Sequence, residues 1–511
     1  MIHSEKEYKM LEEQIRKLKK ENEIKDKEVK LLKKQNKEQA EVIHDLDPNN
    51  YRGKYQTLKL ENTELKKKLK IYEEKFELSR ISLEKDSSNS CKPSSTNGFK
   101  TVVQNNRVKS GRKPGRAKGH PKSSPSVTTT PNETVKVAKV ATCICGCKTV
   151  EKEEISRDLV TIKVIKQIVQ YVGKKTECPH CHKEYLPKFP KGVNNPVNYD
   201  ENVKSMLVYL NTYCNVANQK VVDFIEFLTH KEVKINKTTV INTVGQFSKK
   251  SKPTLVSMKQ QILKESVIYE DETPIKVNGK IMSTIGVFTK EISYMQAFAN
   301  RKLESFQEMG ILDRYIGTVC HDHNKIHKSF IQSKDAECNF HILRYCKAAY
   351  EIHKWESINE FMDYLLELRD TVDKYKLKGK SCFTGEEYEN AKEKYLSILD
   401  KWDKEHLEKA DKDKPKYYDE ERCLKTRLRE NVDDHLRFLT DFRIDFTNNL
   451  AERGLRCIKK KLKIAGTFRN LKFAKSYCDA MSIIETCIKK NMDIGATICN
   501  IFKGKKKIFA F

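Results

Sequence analysis

The chain has 511 residues, too many for one ordinary domain and enough to bury a sizeable core. Its 99 Lys and Arg against 71 Asp and Glu leave a formal charge of +28, which favours a polyanionic partner. No apolar run approaches the roughly 20 residues of a spanning helix, and the polar start MIHSEKEYKM lacks a signal-peptide core, so DNA rather than membrane is the expected partner and the cytoplasm the expected location.

Residues 1–85 read as coiled coil. Leu11, Ile15, Leu18, Val29, Leu32, Ile43 and Leu46 keep a 4-3 spacing, with Asn22 and Asn36 in the same seam. Buried Asn at such positions lowers stability but fixes register and strand number. Asp47-Pro48-Asn49-Asn50 breaks the helix, and the seam resumes at Leu58, Asn62, Leu65, Leu69, Tyr72 and Phe76. Isolated helices this charged rarely persist without a partner, so at least a homodimer is expected. Residues 86–135 form a basic flexible linker, too polar to fold alone. Within it Arg112, Lys113, Arg116 and Lys118 are candidate DNA contacts, since Gly and Pro keep the backbone extended and cations can track phosphates. A plain tether is the alternative.

Residues 136–195 read as a zinc-binding domain. Cys143, Cys145 and Cys147 precede an alternating stretch, Val160 to Val172, expected as strand; Cys178-Pro179-His180-Cys181 follows. A Cys-x-x-Cys knuckle with a second thiolate pair about 30 residues away suits tetrahedral Zn²⁺, with four of the five cysteines as ligands. Redox chemistry at Cys178 and Cys181 lacks a surrounding βαβ pattern. The other cysteines are scattered singly, as in a reduced chain.

Residues 196–265 read as helical and DNA-binding. Val203 to Tyr213, Val221 to Leu228 and Thr238 to Phe247 resemble a helix-turn-helix, with Lys237 to Gln246 as recognition helix; an ordinary helical bundle is the alternative.

From 266 the pattern turns mixed. Val267 to Tyr269, Ile281 to Phe288 and Tyr294 to Ala299 read as strands, Arg301 to Met309 as helix and Ile316 to Cys320 as a fourth strand. That order fits a ribonuclease-H-like α/β core over 266–340. Residues 341–440 read as an all-α insertion, and 441–511 as C-terminal core helices. The fold class is multidomain α/β.

Asp271 follows the first strand and Asp322 the fourth, and in such a sheet those strand ends lie side by side. Two carboxylates there repel unless cations intervene. Hard oxygen ligands suit Mg²⁺ or Mn²⁺. Glu452, near the start of a helix, supplies a third carboxylate. Two ions can activate a water or 3′-hydroxyl and steady the leaving oxygen of an in-line displacement. Arg456 and Lys459, at i+4 and i+7 from Glu452, share its helix face and join Arg453 as candidate phosphate contacts. Asn448 or Asn449 is a candidate cap. His321, His323 and His327 form a rival cluster able to take a transition metal.

With these motifs in order, the chain resembles the IS66 family of bacterial insertion-sequence transposases. Ser87 to Ser95 and Arg112 to His120 resemble the family's linker motifs, and the Cys cluster sits where the family has a zinc-binding domain. Asp271-Glu272-Thr273-Pro274, His321-Asp322-His323 and Phe446 to Arg453 match its three catalytic motifs. Cys338 to Arg344 and Lys463 to Arg469 resemble the stretches after the second and third. The resemblance implies a DDE transposase that binds element ends, cleaves and joins DNA, and works with accessory proteins in some settings. It implies Asp271, Asp322 and Glu452 as the metal-binding triad. The irregular Cys143-x-Cys145-x-Cys147 departs from the family pattern. Two other readings use the same residues: a catalytically inactive, transposase-derived zinc- and DNA-binding regulator, and a two-metal DNA nuclease.

Overall fold

The computed structural model describes residues 27, 30–42, 52–84, 133–138, 142, 144–149, 156–157, 166–190, 192–409, 417–505 and 507–510. Arg112, Lys113, Arg116, Lys118 and Cys143 lie outside the described residues. Two compact units emerge, one of Met1–Val103, Asn195–Phe224 and Ile235–Phe511, the other of Gln104–Asn194 and Ile225–Lys234.

At the N-terminus, α1 (30–42) and α2 (Arg52–Glu84) lie on either side of the expected break. Asn62 donates to the Asn36 carbonyl at 3.2 Å, and Lys33 pairs with Glu73 at 2.8 Å. The expected seam residues Leu32, Asn36, Leu58, Asn62, Leu65, Leu69 and Tyr72 are turned away from solvent, as are Gln39, Lys70 and Glu73. Part of the 4-3 seam is thus shared between two helices of the same chain. A heptad seam specifies an apolar partner helix, not which chain supplies it.

In the smaller unit, β1 (Thr176–Glu177) and β2 (Glu184–Tyr185) form an antiparallel hairpin. Cys178-Pro179-His180-Cys181 lies in its turn, where the Cys178 amide donates to Lys183 O at 3.0 Å and that of His182 to Cys178 O at 2.9 Å. An isolated bridge between Thr142 and Lys148 closes a second turn that carries Cys145, Gly146 at φ +87° and Cys147. The expected strand Val160 to Val172 lies partly outside the described residues; its described part, 166–172, is extended but pairs with no strand.

Four helices follow: α3 (Glu201–Val208), α4 (Asn218–Leu228), α5 (Lys237–Lys250) and α6 (Lys252–Ile262). Asp200 and Asn236 accept the third amide of α3 and α5, at 2.9 and 2.8 Å, which sets both starts. One face of α5 is core: Val240, Val244 and Phe247 are fully buried, and the Ser248 hydroxyl donates to Asp479 at 2.6 Å. Lys237, Thr238, Asn242 and Gln246 stay exposed.

The central sheet comprises β3 (Val267–Val277), β4 (Lys280–Phe288), β5 (Ser293–Phe298), β6 (Thr318–His321) and β7 (Lys334–Glu337), in the order β5-β4-β3-β6-β7. The first three strands are antiparallel; β6 and β7 add in parallel. Asn278 and Gly279, both at positive φ, make the two-residue turn between β3 and β4. α7 (Leu303–Met309) crosses between β5 and β6. Two differences from expectation matter. β3 runs on past Tyr269, so Asp271 lies inside the strand, and β7 is an unanticipated fifth strand. Its sequence, Lys-Asp-Ala-Glu, has no apolar run and is held by parallel pairing with β6.

Beyond β7 the chain is helical: α8 (Asn339–His353), α9 (Glu356–Leu377), α10 (Gly385–Lys409), α11 (Tyr417–Glu430), α12 (Val432–His435) and α13 (Arg437–Thr440). Phe361, Leu365, Tyr395, Leu399 and Trp402 form a buried core there. The chain then returns through α14 (Asn449–Gly454), α15 (Arg456–Ala465), α16 (Leu471–Lys489) and α17 (Ile494–Phe502). α16 covers the edge strand β5: Ser482 and Thr486 hydroxyls accept the Met295 and Ser293 amides at 2.8 and 3.1 Å. Among the described residues no helix is long and apolar enough to cross a membrane.

Candidate active site

Parallel pairing of β3 with β6 matches Tyr269 to Cys320. Two residues further along each strand stand Asp271 and Asp322. Asp271 pairs with Gly286 of β4, and its carboxylate accepts the Glu272 amide at 2.8 Å. Burial, then the charges of Asp322 and Glu270, hold Asp271 well above the usual carboxylate range, against the pull of Lys459. Asp322 goes the other way. Burial opposes its ionisation, but His341 at 3.1 Å and the Asn448 amide at 3.3 Å outweigh that and lower it. His341 in turn is pushed up to about 11, because its contacts with Asp322 and Cys338 overcome burial. One carboxyl is therefore held ionised beside another that resists ionising. A divalent cation between them would relieve that conflict, and all the donors of the pair are hard oxygens.

Glu452 is half-buried on α14. α14 packs against β3 and β4, and α15 against β3. Two glycines permit this approach. A Cβ on Gly454 would lie 2.2 Å from the Phe288 ring, and one on Gly286 would lie 2.5 Å from the same ring. Asn448, the N-cap of α14, accepts the Ala451 and Glu452 amides at its carbonyl, but its side chain does not cap the helix. Its side-chain amide instead donates to the Glu270 carbonyl at 2.7 Å and to Asp322, anchoring the helix start to both strand ends. The expected continuous helix from Glu452 to Lys459 breaks at Leu455, so the i+4 and i+7 face argument does not hold as stated. Lys459 still comes near Asp271, through the turn rather than along one face. Arg453, Arg456 and Lys459 are exposed.

The flanking acids are also held. Glu270, buried, meets His327 Nε2 at 2.8 Å and is pushed up to about 8 by burial and by Asp322. Glu272 pairs with Arg301 at 2.9 Å and is pushed up to about 7, chiefly by burial. His321 and His327 stack at 3.8 Å. Among the described residues two groups gather three metal-type donor atoms: His321, His327 and Asp335, and Asp322, Cys338 and His341. Cys145, Cys147, Cys178 and Cys181 are in no disulfide and, among the described residues, in no such group. Cys178 is nonetheless held below the usual thiol range by the Cys181 and His180 amides, as a ligating knuckle requires.

Residues 223–476, which contain all three acids and the helical excursion between them, match the profile of the transposase IS66 family. The chain belongs to that family. No curated protein matches it. Membership in the IS66 family brings a transposase role, and with it DNA processing and DNA binding. The sequence reading missed His341, Asn448 and Glu270 as residues that hold the acids in place. The first two lie inside motifs already quoted; Glu270 gave no signal beyond its position beside Asp271.

Proposed function

We propose that this IS66 family chain is a metal-dependent DDE transposase with a ribonuclease-H-like core. Asp271, Asp322 and Glu452 would hold two Mg²⁺ or Mn²⁺ ions. When bound, such ions activate a water or 3′-hydroxyl and neutralise charge on the phosphate under attack. The observation that carries the reading is the opposition of Asp271 and Asp322 at neighbouring strand positions, one held ionised and the other resisting it. His341 and Asn448 aim the Asp322 carboxylate. Lys459, Arg456 and Arg453 offer cations to the DNA backbone on the same side as α14. The five-stranded order, with three antiparallel strands followed by two parallel ones, supports the ribonuclease-H-like assignment.

The two cysteine turns would bind zinc, with Cys178 and Cys181 as one pair and two of Cys143, Cys145 and Cys147 as the other. Together with the basic linker they would recognise element ends, and the N-terminal helices would bring two chains together in the cytoplasm. The test is cleavage and joining of DNA carrying the element's ends, with Mg²⁺. Asp271→Asn should reduce both to background while leaving the thermal midpoint unchanged or raised. Full activity in that variant would remove Asp271 from the mechanism.

A further inference from the structure

Glu337 ends β7, buried to 5% exposure, and among the described residues its ion-pair partners are histidines. Three side chains hold its carboxylate. His323 Nδ1 lies 2.7 Å from Oε1, the Asn431 amide donates to Oε1 at 3.1 Å, and His435 Nε2 lies 3.2 Å from Oε2. They come from two sides. His323 directly follows Asp322, in the loop after β6. Asn431 and His435 come from the far end of the helical excursion, just after α11 and at the end of α12.

The connection runs further on each side. Lys328, in the 3₁₀ turn Lys325–Ser329 of the same loop, donates to Asn431 Oδ1 at 2.9 Å. The Tyr395 hydroxyl of α10 lies 2.8 Å from His435 Nδ1, and the Asn339 amide holds the His435 carbonyl at 2.9 Å. The ionised Glu337 carboxylate can only accept, so the His435 Nε2 carries the proton and donates to it. A buried carboxylate satisfied by such donors is rigid, and removing its charge leaves several donors facing a weaker acceptor.

Resting on the two-carboxylate reading of Asp271 and Asp322, we propose that Glu337 is a positioning residue through which the helical excursion fixes the loop bearing Asp322. The excursion thereby sets how well the carboxylate pair receives its cation. It is the Glu337 bonds, together with Lys328 to Asn431, that tie this loop to α11 and α12. Contacts that orient metal-binding side chains typically change metal affinity by about 10- to 100-fold when removed.

The test is Mn²⁺ binding to the full-length chain, read from the electron paramagnetic resonance of free Mn²⁺, beside the thermal midpoint. Mn²⁺ prefers carboxylate oxygen to the cysteine turns. Glu337→Gln keeps the shape and removes the charge; it should weaken Mn²⁺ binding about tenfold. Tyr395→Phe, inside the excursion, should weaken it about two- to threefold, less than the loss of a direct contact because it acts only through His435. A purely structural role would lower the midpoint and leave the affinity of the folded fraction unchanged. Wild-type affinity in folded Glu337→Gln would overturn the inference; if that variant does not fold, wild-type affinity in Tyr395→Phe overturns it. The underlying reading fails separately, and takes the inference with it, if wild type binds no Mn²⁺ or if Asp271→Asn binds it as wild type does.

Discussion

Lys461 offers a test of the fold's electrostatics away from the acids. It lies on the inner face of α15 at 6% exposure, donates to the Asn211 carbonyl at 3.2 Å and sits 5.4 Å above the Tyr477 ring. Burial alone lowers it from 10.5 to about 8. In the unfolded chain Lys461 keeps its ordinary value, so between pH 8 and 10.5 the unfolded state binds more protons. Stability from this group therefore rises with pH across that window, and the full penalty is present below about pH 8. A shift of about 2.5 units at 1.36 kcal/mol each makes that penalty about 3 kcal/mol. Lys461→Met fills similar volume without the charge and gives up one hydrogen bond of about 1 kcal/mol. The variant should be about 2 kcal/mol more stable at pH 7, or about 4 °C in midpoint at roughly 2 °C per kcal/mol for a unit of this size. Calorimetry of both proteins from pH 7 to pH 10 is the assay. The gap should shrink and reverse by pH 10, as wild type sheds its proton. A lower midpoint for the variant at pH 7, or a gap independent of pH, would refute the reasoning.

Gly454→Ala would drive a methyl into the Phe288 ring, so α14 must lift from β4. Overpacking of this kind costs about 1–3 kcal/mol, and DNA cleavage should fall more than that loss of folded protein explains, in a cleavage assay normalised to folded fraction. His341→Ala removes the contact that keeps Asp322 ionised. Half-saturating Mg²⁺ in the same assay should rise about tenfold, with much of the rate restored at high Mg²⁺.

How much of this was legible beforehand varies by residue. The closeness of Asp271 and Asp322 was legible because each lies at or near the end of a strand whose apolar run is local in the sequence. The antiparallel strands were legible because apolar residues recur with strand spacing. β7 was not, since Lys-Asp-Ala-Glu becomes a strand only by pairing with β6. The continuity of the Glu452 helix was misread because helical periodicity persists across Leu455. At the break Gly454 meets Phe288, a residue more than 150 positions away in the chain. The contact between the two N-terminal helices within one chain was not legible, because heptads mark an apolar seam without naming what covers it. The bonds of Glu337 to Asn431 and His435 had no signal at all, for polar residues so far apart leave no periodic trace.

After the excursion from Asn339 to Thr440 the chain returns to pack α14 against β3 and β4. The exit and the return are bonded directly to each other. The Asn339 amide donates to Phe446 O at 3.2 Å, the Asn448 amide to Cys338 Sγ at 3.1 Å, and the Asp445 amide to the Tyr269 hydroxyl at 3.1 Å. Tyr269 also donates to Arg443 O at 3.3 Å, from within β3 itself. The detour is thus closed at its base, and the position of α14 is set by contacts at that base rather than by the length of the helices beyond it. Closing a long loop costs little more than closing a short one, because the entropy grows only with the logarithm of length. The bonds through Glu337, with that from Lys328 to Asn431, are then how the distal helices bear on the Asp322 loop, while the start of α14 is held at the base. Changes in the distal helices should accordingly alter the setting of Asp322 before they alter that of Glu452.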